Sequence, residues 1–229
     1  MTYYKFLSKD GTSSCPKTHW SLPTKNSDGT WAPGAWMPKA EELAFFTSGY
    51  RVCSRESLVN WVNDELYEIE VQGKHIEADT MSCWQQSRLM RRVDTWNERT
   101  IRLFMCDCVE HVLYIFGSSQ WATSGWPQQA IEVSRLYANG EMTKRDLCTM
   151  SNCAKCVASN ITSVAAQRVT EAASWCASES SVWYAASQAR EAAEASIWGT
   201  RQNGQTATKN AEYRWQNNRL WLYLKGDIA

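Results

Sequence analysis

The stretch Trp96–Phe116, WNERTIRLFMCDCVEHVLYIF, decides how the second half of the chain folds. Thr95 and Glu98 fit a T-x-x-E capping box just before this run, so we expect a helix to begin there. Its apolar stripe repeats at helical spacing and comprises Ile101, Phe104, Met105, Cys108 and Val112, widened by Val109, Leu113 and Phe116. This spacing predicts an amphipathic helix that turns one face to a core.

Polar side chains share this helix with the apolar stripe. Asp107 and His111 are four residues apart, and a carboxylate in that position could orient an imidazole as a general base. Arg102, Cys106 and Glu110 follow the same spacing, and an arginine could activate the thiol. Such pairs also form as ordinary helix-surface partners. We expect a buried or half-buried polar seam, more scaffold than active site, that comprises Arg99, Arg102, Asp107, Glu110 and His111.

The cysteines raise the question of a metal site. Cys148, Cys153 and Cys156 form C-x4-C-x2-C, and Cys106 and Cys108 lie on the preceding helical run. Structural zinc takes four thiolate or imidazole ligands in a tetrahedron. The three cysteines lie inside a helical pattern rather than on a tight turn, and Cys106 and Cys108 would project about 200° apart on a helix. We therefore predict that the cysteines are reduced and packed in the core. We expect neither a metal nor a cofactor.

The chain changes character near residue 93, which predicts two domains, 1–93 and 94–229. Four of the five prolines precede this point, and alanine rises beyond Ala154. We expect an α+β fold, with a small β-containing N-terminal domain followed by an all-α, Ala/Trp-rich helical domain. The predicted N-terminal elements are strands at Tyr3–Leu7, Gly49–Cys53 and Glu65–Gly73, a helix at Arg55–Val62 capped by Ser54, and a helix over Asp79–Val93.

Helix ends are readable in the second domain. Pro127 suits the first turn of a helix, and the pair Asn139-Gly140 suits a helix end. Thr143 and Asp146 mark another start. The Ala-rich run from Ile161 to Trp198 predicts one long helix or two helices broken at Ser178–Ser181, and a last helix is expected over Thr206–Leu224.

Charge and hydropathy give no support for a nucleic-acid or membrane partner, although a short basic patch at Arg88–Arg92 stays possible. Lys+Arg and Asp+Glu both number 24, which gives no basis for counterion-driven nucleic-acid binding. No apolar run approaches the length of about 18 residues that a membrane helix needs, and the N-terminus lacks a signal-peptide pattern. We expect a cytoplasmic protein, and an oligomer is compatible with the sequence.

Tryptophan is in excess, with 13 residues spread along the chain. Trp, Tyr and Arg dominate interface hot spots. The Trp residues of the helical domain either pack Ala-rich helices together or line a ligand groove. The candidate binding residues of this type are Trp121, Trp126, Trp175 and Trp183.

Two segments carry a family resemblance. Cys108, Glu110–Leu113, Ala130–Glu132, Arg135 and Gly140-Glu141 resemble the motifs of bacterial and phage immunity proteins of the Imm5 type, over about residues 96–198. The loop before Pro127 departs from that family, which usually has an acidic stretch and Arg-Pro-Arg there. The first 92 residues resemble an uncharacterised phage-associated domain with a Gly-Phe/Tyr-His-x-Cys motif, in which Arg51 replaces the histidine.

The resemblance implies a role in bacterial or phage conflict, inside the bacterial host cell. No Gly-rich phosphate loop, G-x-S-x-G or H-E-x-x-H motif is present, which disfavours an enzyme. The sequence favours a non-catalytic binding or inhibitor protein that sequesters a protein partner or a small signalling molecule. The alternative is a nucleotide-using enzyme. Its first domain loosely resembles ADP-ribosyltransferases, with Glu68 and Glu70 as candidate acids.

Overall fold

The computed structural model describes residues 2–14, 17–116, 125–159, 164–178, 187, 191 and 202–228. The chain divides into two compact units, Met1–Asn97 and Glu98–Ala229. The first is built around an antiparallel sheet and the second from helices, which confirms the predicted α+β class.

The first unit consists mainly of strands in its described part. They are β1 (Tyr3–Leu7), β2 (Thr12–Ser14), β3 (Lys17–His19), β4 (Thr24–Lys25), β5 (Trp31–Ala32), β6 (Tyr50–Val52), β7 (Glu65–Ala78) and β8 (Met81–Arg92). The main sheet has the order β1-β7-β8-β6 with antiparallel neighbours. Its two edges meet where Tyr4 and Cys53 exchange backbone hydrogen bonds of 2.9 and 3.0 Å. The sheet therefore curls back on itself at this point.

The predicted helix over Asp79–Val93 is wrong, because this segment is strand β8. It pairs with β7 in a long hairpin from Tyr67–Arg92 to Ala78–Met81, with register irregularities between Glu68 and Ile69 and between Gln72 and His75. The prediction that β7 ends at Gly73 is also wrong. Gly73 has a φ of 88° and lies within a register irregularity, so the strand continues through it to Ala78.

The helix predicted after Ser54 is a short 3-10 helix, Arg55–Asn60, which ends before Val62. The Ser54 side chain makes no capping hydrogen bond. Leu58 and Val59 are nevertheless buried, so the turn contributes apolar side chains to the unit. A cluster of buried side chains lies between β1, β6, β7 and β8 and the loop after β3, and it comprises Leu7, Trp20, Met37, Val52, Tyr67, Ile69 and Leu89.

The second unit is helical in its described part. Its helices are α1 (Glu98–Phe116), α2 (Trp126–Ala138), α3 (Lys144–Ala158), α4 (Val164–Cys176) and α5 (Gln202–Lys225). Helix α1 contacts α2, α4 and α5. It is buried without interruption from Arg102 to Val109, so it runs through the core and both of its faces are covered.

Local capping predictions agree with the structure at α2 and α3. Pro127 lies in the first turn of α2, and Asn139 caps its end. Thr143 and Asp146 form the predicted capping box of α3. Helix α1 begins at Glu98, two residues later than Trp96, the first helical residue that a Thr95 cap predicts. Helix α5 is longer than predicted, and the expected break at Ser178–Ser181 lies mostly outside the described residues.

Candidate functional site

Asp107 is the centre of a charged network inside the helical unit. Its Oδ1 accepts a hydrogen bond from Nη2 of Arg135 at 2.7 Å. Its Oδ2 accepts one from Nε of Arg219 and one from the Tyr223 hydroxyl, each at 2.6 Å. The carboxylate is 5% exposed, so α1, α2 and α5 are joined through a single buried charge.

The charge of Asp107 raises the pKa of each of its three hydrogen-bond partners. Burial alone would lower the pKa of Arg135 and of Arg219, but the negative charge of Asp107 outweighs it and raises both. Burial raises the pKa of the Tyr223 hydroxyl, and its hydrogen bond to Asp107 raises it further. The two arginines are therefore protonated, and the Tyr223 hydroxyl keeps its proton. In this state all three groups can donate hydrogen bonds to the buried carboxylate.

Arg135 also bridges the network to the surface. Its Nη2 lies 2.6 Å from Oε2 of Glu110, whose side chain is exposed. Glu110 therefore belongs to the solvent-facing edge of the network, whereas Asp107 belongs to its interior.

His111 forms a separate polar contact one turn further along α1. Its Nδ1 lies 2.7 Å from Oε2 of Glu212, a carboxylate that is 2% exposed. Gln216 donates to the other oxygen of Glu212 at 2.9 Å. The imidazole stacks on the Trp215 ring with centroids 3.8 Å apart. The structure does not pair His111 with Asp107, the arrangement considered for a general base, because each binds a different set of residues.

The two arginines of the seam lie in different environments. Arg102 is buried and donates to the carbonyl oxygens of Cys176 and Ser178 at 2.7 and 3.1 Å, beyond the end of α4. Arg99 is exposed and donates to the Asn139 side chain at 2.9 Å. Helix α1 therefore uses Arg102 as an internal tie and presents Arg99 at the surface.

A groove lies beside the exposed end of the network. It has a volume of 540 Å³ and is lined by Glu110, Leu113, Gln128, Ile131, Glu132, Arg135 and Leu136. Leu113 and Ile131 are nearly buried and give it an apolar floor. Glu110 and Glu132 are exposed at its rim. Arg135 also lines the groove and pairs with Glu110, so Glu132 is the acid that leaves a net negative charge at this border.

The predicted packing role of the cysteines holds for only some of them. Cys53, Cys83, Cys106, Cys108 and Cys176 are buried. Cys148 and Cys156 are exposed on α3, so the prediction is wrong for them. The buried residues of α3 are Leu147, Ser151, Ala154 and Ala158. Cys148 and Cys156 are not among these positions. Among the described residues, no group of His, Cys, Asp or Glu is arranged to hold a metal ion.

The candidate tryptophans divide by position. Trp126 and Trp175 are half-buried, and Nζ of Lys155 lies 5.4 Å from the centre of the Trp175 ring. The predictions for Trp121 and Trp183 lie outside the described residues.

The acids of the predicted alternative are engaged across the sheet. Glu68 on β7 accepts a hydrogen bond from Nε of Arg91 at 2.7 Å, and Glu70 accepts one from Nε of Arg88 at 2.7 Å. Both are therefore members of cross-strand ion pairs between β7 and β8.

A pocket in the first unit contains two cations that the sequence did not single out as site residues. Lys5 and Arg51 line a cavity of about 60 Å³ together with Ser13, Trp61 and Asn63. Lys5 lies on β1 and Arg51 on β6, 46 residues apart. One sequence feature involves a residue of this cavity. In the resemblance to a Gly-Phe/Tyr-His-x-Cys motif, Arg51 stands at the position of the histidine.

Comparison with models of protein families, with curated proteins and with solved structures gave no match. The resemblance to Imm5-type immunity proteins therefore stays a prediction. None of the helices in the described ranges combines the length and the apolar character needed to cross a membrane.

Proposed function

We propose that this chain is a non-catalytic binding protein that acts in bacterial or phage conflict by sequestering a protein partner. The observation that carries the proposal is the internal use of the polar side chains on α1. Asp107 accepts three hydrogen bonds from within the unit, and His111 is held by Glu212 and Trp215. A general base must reach a substrate proton, so side chains held in this way support a scaffold rather than a reactive centre.

The groove between α1 and α2 is the surface we assign to the partner. Its floor offers Leu113 and Ile131, and its rim offers Glu132, which forms no ion pair within the described part of the chain. Apolar contact at the centre with charge at the border is the usual anatomy of an interface. An acidic border favours a partner segment that carries lysine or arginine beside an apolar side chain.

The setting in bacterial or phage conflict rests on the resemblance of Cys108, Glu110–Leu113 and Arg135 to the Imm5-type motifs. Three of those positions, Glu110, Leu113 and Arg135, line the groove. This coincidence of motif and groove supports placing partner recognition there.

The experiment is affinity capture from the native host with the full chain and two charge-reversed variants. Glu132→Lys reverses the groove rim. Glu141→Lys makes the same change at an exposed position in the turn between α2 and α3, outside the groove. We expect the wild type and Glu141→Lys to retain the same protein and Glu132→Lys to lose it. Equal capture by all three proteins would show that the groove is not the binding surface.

A further inference from the structure

Arg51 is a buried arginine that forms no ion pair with an acidic side chain in the described part of the chain. The residue is 8% exposed, and its Nε has no hydrogen-bond acceptor among the described residues. The guanidinium carbon lies 4.9 Å from the Phe46 ring and 5.6 Å from the Trp61 ring. Aromatic rings attract the positive charge, but they supply no oxygen acceptor for Nε. A buried charged donor without an acceptor destabilises the fold. A bound anion would accept its hydrogen bond and reduce that cost.

Lys5 adds a second positive charge to the same cavity. Its Nζ donates to the carbonyl oxygen of Arg51 at 2.8 Å, and no acidic side chain in the described part of the chain pairs with it. Burial, and then the charge of Arg51, lower the pKa of Lys5 to about 8. Two cations that repel each other around one cavity favour a ligand with negative charge.

The remaining lining residues fit an oxygen-rich ligand. Ser13 and Asn63 contribute polar groups, and none of the residues that line the cavity is acidic. Cys53 also lines it, but burial raises the pKa of its thiol to about 12, so it is neutral at pH 7. The net charge of the lining is therefore +2 at neutral pH, below the pKa of Lys5.

The size of the cavity limits the ligand. About 60 Å³ corresponds to roughly four to six water-sized groups at 10–15 Å³ each. This is room for one tetrahedral oxyanion with five heavy atoms, and too little for a whole nucleotide. The planar guanidinium fork matches phosphate oxygens.

We propose that the cavity between β1 and β6 is a phosphate-binding site, in which Arg51 and Lys5 contact the oxygens of a phosphate group. The site lies in the first unit and is independent of the groove proposed for the protein partner. The phosphate is either free in solution or the exposed group of a larger molecule whose remainder stays outside the cavity.

Calorimetric titration of the full chain with inorganic phosphate at pH 7 tests the site. We expect saturable binding, with the Kd raised at least about tenfold in Arg51→Gln and in Lys5→Met, because each loses a charge-assisted hydrogen bond. Arg88→Gln is the matched control, since Arg88 lies on the same sheet but pairs with Glu70 outside the cavity. Absence of binding, or equal binding by Arg51→Gln, overturns the proposal.

A second measurement covers the case in which Arg51→Gln does not fold. The ¹⁵N-labelled Nε–H resonance of Arg51 in the wild-type protein should shift during phosphate titration and stay unchanged with chloride. An unchanged Arg51 resonance at saturating phosphate would contradict the proposed contact.

Two further ligands define the chemistry. Adenosine monophosphate that binds at least about tenfold more tightly than inorganic phosphate would assign the site to a nucleotide phosphate, and equal affinity would assign it to the free anion. Acetate carries one planar carboxylate, so it should bind more weakly than phosphate. Acetate affinity equal to that of phosphate would overturn the assignment to a tetrahedral oxyanion.

Discussion

Nε of Arg219 lies 2.6 Å from Oδ2 of Asp107, although 112 residues separate them in the sequence. This ion pair fastens α5 to the central helix α1, and the Tyr223 hydroxyl binds the same oxygen. Two of the three hydrogen bonds to the Asp107 carboxylate therefore come from residues more than 100 positions away in the sequence.

Replacing Asp107 by Asn should destabilise the helical unit strongly. The change leaves Arg135 and Arg219 beside a neutral group, and breaking a buried charge pair costs about 3–5 kcal/mol. Glu110→Gln is the control, because Glu110 is exposed and its pair with Arg135 is worth about 1 kcal/mol or less. Urea unfolding of both variants measures the difference. Equal free energies of unfolding would show that the Asp107 network does not hold the helices together.

Lys5 should make the stability of the first unit rise with pH above 8. Its pKa falls from 10.5 in the unfolded chain to about 8 in the fold. Between these values the unfolded chain binds more protons than the native protein, so the free energy of unfolding increases with pH. The titratable groups that act on Lys5 are Arg51 and the thiols of Cys53 and Cys83, whose raised pKa values keep these thiols neutral near pH 8.

Urea unfolding of the wild type and Lys5→Met at pH 7.5 and 10 isolates this contribution, because ionisation of Cys and Tyr side chains affects both proteins alike. We expect the wild type to gain about 2 kcal/mol relative to the variant between the two pH values. A difference that does not change with pH would mean that the pKa of Lys5 is not lowered.

The cysteines should differ in reactivity towards iodoacetamide. Cys148 and Cys156 are exposed, so among the cysteines in the described part of the chain these two should be alkylated first. Burial raises the pKa of the thiols of Cys53 and Cys176, which disfavours the reactive thiolate. Peptide mass mapping before and after unfolding in urea measures the order. Early labelling of Cys176 would contradict the packing of α4 against α1.

The Gly73 bulge should be sensitive to a single methyl group. A Cβ at this position would lie 3.1 Å from Cβ of Gln85 and 2.8 Å from its more movable Oε1, and the φ of 88° is itself strained for an L side chain. We expect Gly73→Ala to cost about 1–3 kcal/mol. Gly29→Ala provides a control with φ of 86° and no atom within 4 Å of the new Cβ. Thermal denaturation compares them, and a larger loss in Gly29→Ala would argue against the close contact with Gln85.

The alternative enzymatic function has a direct test. Since Glu68 and Glu70 are held in ion pairs with Arg91 and Arg88, we expect no transfer of label when the protein is incubated with labelled NAD and host lysate. Transfer that is abolished by Glu70→Gln would establish the enzyme and reject the non-catalytic function.

Structural features that depend on interactions within a few residues could be predicted from the sequence. The capping box of Thr143 and Asp146 and the first-turn Pro127 act over a distance of four residues, and the structure confirms both. Strand β8 was not readable in this way. Its Gln, Met and Arg residues are good helix formers, and long-range pairing with β7 overrides that preference.

The candidate sites were only partly predictable for the same reason. The residues of α1 were recognised as polar, but their partners Glu212, Arg219 and Tyr223 lie more than 100 residues away. Lys5 and Arg51 come together because the edges of the sheet meet at Tyr4 and Cys53. A pattern search along the chain has no means of detecting that closure.

The distant partners of Asp107 also set the order of events during synthesis. The ribosome releases α1 long before Arg219 and Tyr223, which follow Asp107 by 112 and 116 residues. Until then, Arg135 is the sole member of the trio that can neutralise the emerging carboxylate. The helical unit can therefore reach its final packing only after α5 has been synthesised. Until then, we expect the Asp107 carboxylate to be solvated by water or the nascent chain to be bound by a chaperone.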